Sequence, residues 1–133
     1  MVAASIAVCS LSFTACCCPG SDSSPAKSAA PAAKADSDLQ QKRADLIEKY
    51  KKERVIHKVE GESLAKLYVM PRFYTLPVDD KKTVANLVYV WFYRYPNPVN
   101  ADTVNPGDHV EIIDHANGKQ VGSYDPITGL SMD

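Results

Sequence analysis

Cysteine is the residue here with the clearest capacity for covalent chemistry, and all four cysteines lie at the front of the chain: Cys9, Cys16, Cys17 and Cys18. A thiolate is the good nucleophile among side chains. A disulfide framework or a structural zinc site would spread its cysteines through the fold it holds together, and nothing after Cys18 is cysteine. Histidine is the next candidate. His109 and His115 flank Glu111, a row of metal-ligand types. Strand residues six apart lie about 20 Å from end to end, too far for one ion. His57, His109 and His115 are therefore expected as surface histidines near loop ends, with no metal and no cofactor. Asp79 and Asp80 could pair as acid and base, but adjacent carboxylates at a helix start are better explained by the helix dipole. Asp108, Asp114 and Asp125 bracket a hairpin, where aspartate suits turns. Ser63, Ser123 and Ser131 lack a nucleophile elbow, and there is no phosphate-binding or dinucleotide glycine loop. Catalysis is not expected from this inventory.

The cysteines have to be explained by what happens at the N-terminus. Met1 to Cys18 carries no charged side chain, and Val2, Ala3, Ala4, Ile6, Ala7, Val8, Leu11 and Phe13 form an apolar stretch. It is too short to span a bilayer, which takes roughly 20 apolar residues, and suits the apolar region of a signal peptide, about 7–15 residues. It ends in Phe13-Thr14-Ala15-Cys16, which resembles the lipobox of bacterial lipoproteins. The resemblance covers those residues only. It implies diacylglyceryl on the Cys16 sulfur, cleavage after Ala15, and acylation (palmitate-type) of the new Cys16 amine. Two or more acyl chains hold a protein on a membrane stably, where one is marginal. By the sorting pattern of such lipoproteins, Cys17, not being Asp, favours the outer membrane, facing the periplasm. The alternative is the signal peptide of a soluble secreted domain. Cys17 and Cys18 have no assigned role.

Pro19 to Ser37 has no aromatic or large aliphatic residue, so it can bury little to offset the entropy of ordering. With Pro25 and Pro31 it reads as a flexible linker, spanning on the order of 25 Å. The expected organisation is residues 1–15 as signal peptide, 16–37 as lipidated cysteine and linker, and 38–133 as one domain.

The patterning of that domain predicts an α+β fold. A helix capped at Ser37 or Asp38 runs to Glu53, with Leu39, Ala44, Leu46, Ile47 and Tyr50 in a loose stripe and Arg43 among its solvated charges. Val55–Val59 reads as a strand closed by Gly61, and Leu64–Met70 as a second extended piece. Arg72–Leu76 is an irregular connection held between Pro71 and Pro77. A central apolar helix follows Asp79-Asp80, with Val84, Leu87, Val88, Trp91 and Tyr95 on one face. The same run also fits a buried strand. Residues 109–114 and 119–124 form a C-terminal β-hairpin. A three-residue loop ending in Gly118 would pair Val110 with Tyr124 and Ile113 with Val121.

A net charge of -1 in 133 residues offers no footprint for nucleic acid. Tyr89, Trp91 and Tyr93 are the partner-binding candidates, because such side chains are enriched at interfaces. The expected function is a membrane-anchored envelope lipoprotein, a non-catalytic interaction module for an envelope protein or cell-wall partner. The rival is a small envelope hydrolase using its Asp and His residues.

Overall fold

The structure, a computed structural model, describes residues 23–96 and 99–133, with side chains from Asp36 onward. It is a small α+β domain of three helices and a five-stranded sheet. In chain order these are α1 (Ser23–Lys52), β1 (Ile56–Glu60), β2 (Ala65–Val69), α2 (Pro71–Tyr74), α3 (Val78–Phe92), β3 (Val110–Asp114), β4 (Gln120–Asp125) and β5 (Gly129–Met132). A single 3-10 turn, Ala101–Thr103, interrupts the connection to β3. The signal peptide and Cys16 lie outside the described residues.

The first helix begins at Ser23, ahead of the N-cap expected at Ser37. Alanine, the strongest helix former, fills much of Ala26–Ala35, and Pro25 sits in the first turn where its missing N–H costs nothing. From Asp36 on, α1 buries Arg43 and Ile47, with Leu39, Ala44 and Tyr50 half-buried beside them. Leu46, expected in that stripe, is 45% exposed. The helix ends in a left-handed turn: Arg54 has φ 61, Arg54 N–H donates to Lys51 O, and Val55 N–H donates to Tyr50 O. Glycine usually holds this place. Arg72 reinforces the end by donating to Glu53 O at 3.1 Å.

The strands follow the alternation in the sequence. Ala65, Leu67 and Val69 are buried while Lys66 and Tyr68 are half-exposed, and Val110 and Ile112 are buried opposite Glu111. Gly61 closes β1 with φ 138, and a Cβ there would run into the Leu64 carbonyl oxygen. The sheet order is β1-β2-β3-β4-β5, antiparallel except that β2 and β3 run parallel. Parallel neighbours need a crossover connection. Here it carries α2 and α3, which lays α3 across the buried face of the sheet, with α1 packed against α3 and β1. The segment expected to be irregular contains the one-turn helix α2, where Pro71 suits the first turn and Phe73 is fully buried.

The run left open between helix and strand is helix through Phe92. The hairpin keeps the expected Val110–Tyr124 pair, but a bulge after Ile112 sets Ile113 opposite Gln120 instead of Val121. Asp114 N–H donates to Lys119 O and Gly118 N–H to Asp114 O, so the loop is His115–Gly118, one residue longer than expected. The tail adds β5, which pairs Leu130 with Tyr124.

Arg43 departs most from its expected place. It is 5% exposed, and its Nη1 donates to Val90 O at 3.1 Å and Tyr95 O at 2.8 Å. Val90 O lies in the last turn of α3, at the negative end of its dipole, and Tyr95 O lies three residues past the helix. Burial lowers the Arg43 pKa from its ordinary value, and the charge of Asp36 opposes that shift. Charge-assisted hydrogen bonds contribute about 1.5–3 kcal/mol, and the carbonyls would be left unpaired without them. Arg43→Ala is therefore expected to lower the unfolding free energy by about 2–4 kcal/mol. Arg43→Lys should recover part of it, since both bonds come from the one nitrogen Nη1 and an ammonium can donate twice. Urea denaturation of the three proteins measures this, and a loss below about 0.5 kcal/mol for Arg43→Ala would place it among ordinary surface changes.

Candidate functional site

The three aromatic side chains singled out on α3 do not share a surface. Tyr89 is fully buried, so it cannot meet a partner in the folded chain. Its ring stacks on Tyr95 with centroids 5.3 Å apart and planes 5° from parallel, and lies edge-on to Tyr124 at 6.1 Å. Its hydroxyl has no hydrogen bond among the described residues, and burial, then the proximity of Tyr95, pushes its pKa far up. The expected helix face was rotated. Val84, Ala85, Val88 and Tyr89 are in the core, and Trp91 lies at its margin, half-buried.

Tyr93 is half-buried and pinned. Its hydroxyl donates to His109 O at 2.8 Å and accepts from Ala65 N–H at 3.2 Å, which ties the end of α3 to β2 and to the start of β3. Tyr95 plays a similar part, donating to Asp108 Oδ2 at 2.6 Å and accepting from Asn105 N–H at 2.9 Å. Tyr124 donates to Asn86 Oδ1 at 2.9 Å. These tyrosines are the polar pins of the core. Each buried hydroxyl but one meets a partner, as buried polar groups should.

Trp91 alone of the three remains available. With Phe92, Arg94 and Pro96 it forms one wall of a groove of about 880 Å³, whose other wall is Leu39, Gln40, Arg43 and Ala44 of α1. The groove exists because Arg43 holds α1 against the end of α3, and because Arg94 turns the chain with φ 57. Its lining mixes aromatic, aliphatic, amide and guanidinium groups, which suits a partner that is part apolar and part polar.

The titratable residues are dispersed. His109 Nδ1 lies 2.7 Å from Gly107 O, in a smaller cleft of about 460 Å³ with Asp108, Ser123 and Asp125. Donation from Nδ1 to that carbonyl leaves no carboxylate to orient the ring in the manner of a catalytic triad. Burial raises the Asp125 pKa, but bonds from the Thr128 hydroxyl and the N–H groups of Thr128 and Ile127 outweigh it, and the net shift is downward. Asp79 and Asp80 sit in the first turn of α3, where Pro77 occupies the N-cap position and no side chain caps the helix. The dipole accounts for them. Asp114 accepts from the Tyr74 hydroxyl at 2.8 Å and from Ala116 N–H at 2.7 Å. The Tyr74 bond, then the Ala116 bond, lowers the Asp114 pKa, while burial and Asp114 push Tyr74 up to about 12.

One juxtaposition is invisible in the sequence. His57, at the bulge of β1, stacks on His115, just past β3, with ring centroids 3.6 Å apart and an interplanar angle of 23°. Desolvation, then the charges of His115 and Lys58, lower the His57 pKa, with Glu60 opposing and Lys51 adding to the shift. Among the described residues no group of three or more His, Cys, Asp or Glu side chains is placed to hold a metal ion.

No protein family, curated protein or solved structure matches this chain.

Two outcomes follow from this geometry. Tyr89→Phe removes no hydrogen bond and should keep stability within about 1 kcal/mol of wild type, whereas Tyr89→Ala opens a core cavity and should cost about 3–5 kcal/mol. Thermal and urea unfolding distinguish the two. His57 has a folded pKa below its unfolded value of about 6.5. Its contribution is fully present above pH ~6.5 and is lost as pH falls through the folded value. Stability measured on acidification below pH ~6.5 should therefore fall less steeply in His115→Ala than in wild type.

Proposed function

We propose that this chain is a lipid-anchored envelope protein whose α+β domain is a non-catalytic binding module, with the groove beside Trp91 as its contact surface. Phe13-Thr14-Ala15-Cys16, with its likeness to a lipobox, supports the anchor, and the apolar stretch before it supports export. In this reading lipid on Cys16 holds the chain on a membrane, on the outer membrane facing the periplasm. Residues 16–37 then stand between lipid and domain. The helical part, Ser23 to Asp36, would add about 20 Å of reach. Among the described residues no helix is long and apolar enough to cross a membrane.

The observation that carries the binding role is the half-buried Trp91 in the groove between α1 and α3. The other two candidate rings are committed: Tyr89 is in the core, and Tyr93 is bonded to Ala65 of β2 and to His109 just before β3. An indole left at the edge of a concave, mixed surface is the arrangement that partner-binding surfaces favour. An envelope protein or cell-wall material is the expected partner.

Trp91 is the only tryptophan in the chain, so its fluorescence reports the groove directly. Protein purified from its native membrane should carry a lipid-sized mass on Cys16, absent from Cys16→Ser. Titration with solubilised envelope proteins or cell-wall fragments should shift Trp91 emission saturably. Trp91→Ala should lose co-purification of the same partner by about tenfold or more, with far-ultraviolet circular dichroism showing that it remains folded at the assay temperature. An unmodified N-terminus would refute the anchor, and unchanged partner recovery in Trp91→Ala would refute the groove.

A further inference from the structure

His57 and His115 come from opposite ends of the domain sequence and meet over the end of β2, where His115 N–H also donates to Val69 O at 3.0 Å. Both residues are exposed. Among the described residues neither ring has a hydrogen-bond partner, in contrast to His109, whose Nδ1 is engaged by Gly107 O. Two imidazoles in contact, with free ring nitrogens and open solvent beyond them, present lone pairs that nothing else in the domain uses.

We propose that His57 and His115 form an open two-histidine site for a late divalent transition-metal ion (nickel, copper or zinc), joining β1 to the end of β3. Imidazole suits these ions. Their bonds to nitrogen are about 2.0–2.1 Å, so two ligating nitrogens on one ion sit roughly 3 Å apart. The rings as they stand are stacked with centroids 3.6 Å apart, so the two exposed side chains are near enough to reach one ion once they turn out of the stack and bring one nitrogen of each toward a common point. The charges around the pair are mixed. Lys58 is paired with Glu60 at 2.7 Å and lies over the Tyr68 ring, Lys51 is paired with Glu48 at 2.6 Å, and Asp114 adjoins His115. Two protein ligands leave coordination positions for water or an added ligand. The ion would also tie down the bulged edge strand β1, whose register shifts between Ile56 and Lys58.

The site is independent of the anchor and the groove, so it is tested on an untagged full chain with Cys9, Cys16, Cys17 and Cys18 all changed to Ser, which removes competing thiols. Calorimetric titration with Ni²⁺ at pH 7.5 should show one ion bound per chain and a raised melting temperature. His57→Ala and His115→Ala should each weaken binding by about tenfold or more, since one of two protein ligands is gone. His109→Ala should bind as the parent does. Far-ultraviolet circular dichroism checks that each variant is folded, as expected for exposed positions. The proposal is overturned by absence of saturable Ni²⁺ binding, by full binding in either His57→Ala or His115→Ala, or by equal loss in His109→Ala.

Discussion

The arrangement of this domain depends on one buried guanidinium. Arg43 reaches from α1 to one carbonyl in the last turn of α3 and one in the turn that follows it, and so ties the two helices together. A buried cation is costly unless it is bonded. Here the C-terminal end of a helix supplies unpaired carbonyls and a favourable dipole at once. The turn after α3, in which Arg94 adopts a left-handed backbone, is held open by the same bond to Tyr95 O. The groove at Trp91 is thus a by-product of the clasp. Removing the clasp would cost both stability and the shape of the surface.

The second constraint is the single parallel pairing in the sheet. β2 and β3 could be neighbours only if the chain between them crossed one face, and that crossing delivers α3 onto the core. The tyrosines near the end of α3 then lock it in register. Tyr93 bonds to Ala65 of β2 and to His109 at the entrance to β3, and Tyr95 secures the loop before β3 through Asp108 and Asn105. Hydroxyls that the sequence offered as a contact surface are instead the hydrogen-bonding ends of core rings. An aromatic residue fits both uses equally, since it carries a large apolar body and one polar tip.

Much of the secondary structure was legible from local pattern. The alternation around Leu67 and around Ile112, the helical spacing of Val84 and Val88, and Gly118 in the hairpin loop each express a short-range preference, and the strands, helix and hairpin expected there are present. What failed did so where the decisive partner lies far away in sequence. Arg43 sits among charged neighbours, so nothing local marks it as buried. Trp91 and Tyr89 are two positions apart on an apolar helix, and only the packing of the sheet decides which turns inward. The bulge after Ile112 and the pairing of β5 depend on side-chain fit across strands, which no single strand encodes.

The sequence by itself determined the apolar, cysteine-ended stretch at the front, the lack of thiols in the domain, the mixed charge, and the places of β1 to β4 and α3 along the chain. These are properties of composition and of neighbours within a few residues, and solvent exposure and backbone preference act on them directly. Tertiary structure decided which aromatic ring is left at the surface, that Arg43 is a clasp, and that His57 lies against His115. Each of those depends on bringing distant segments within a few ångströms. Such contacts arise from the burial of the whole apolar face at once and have no counterpart in any short stretch of chain.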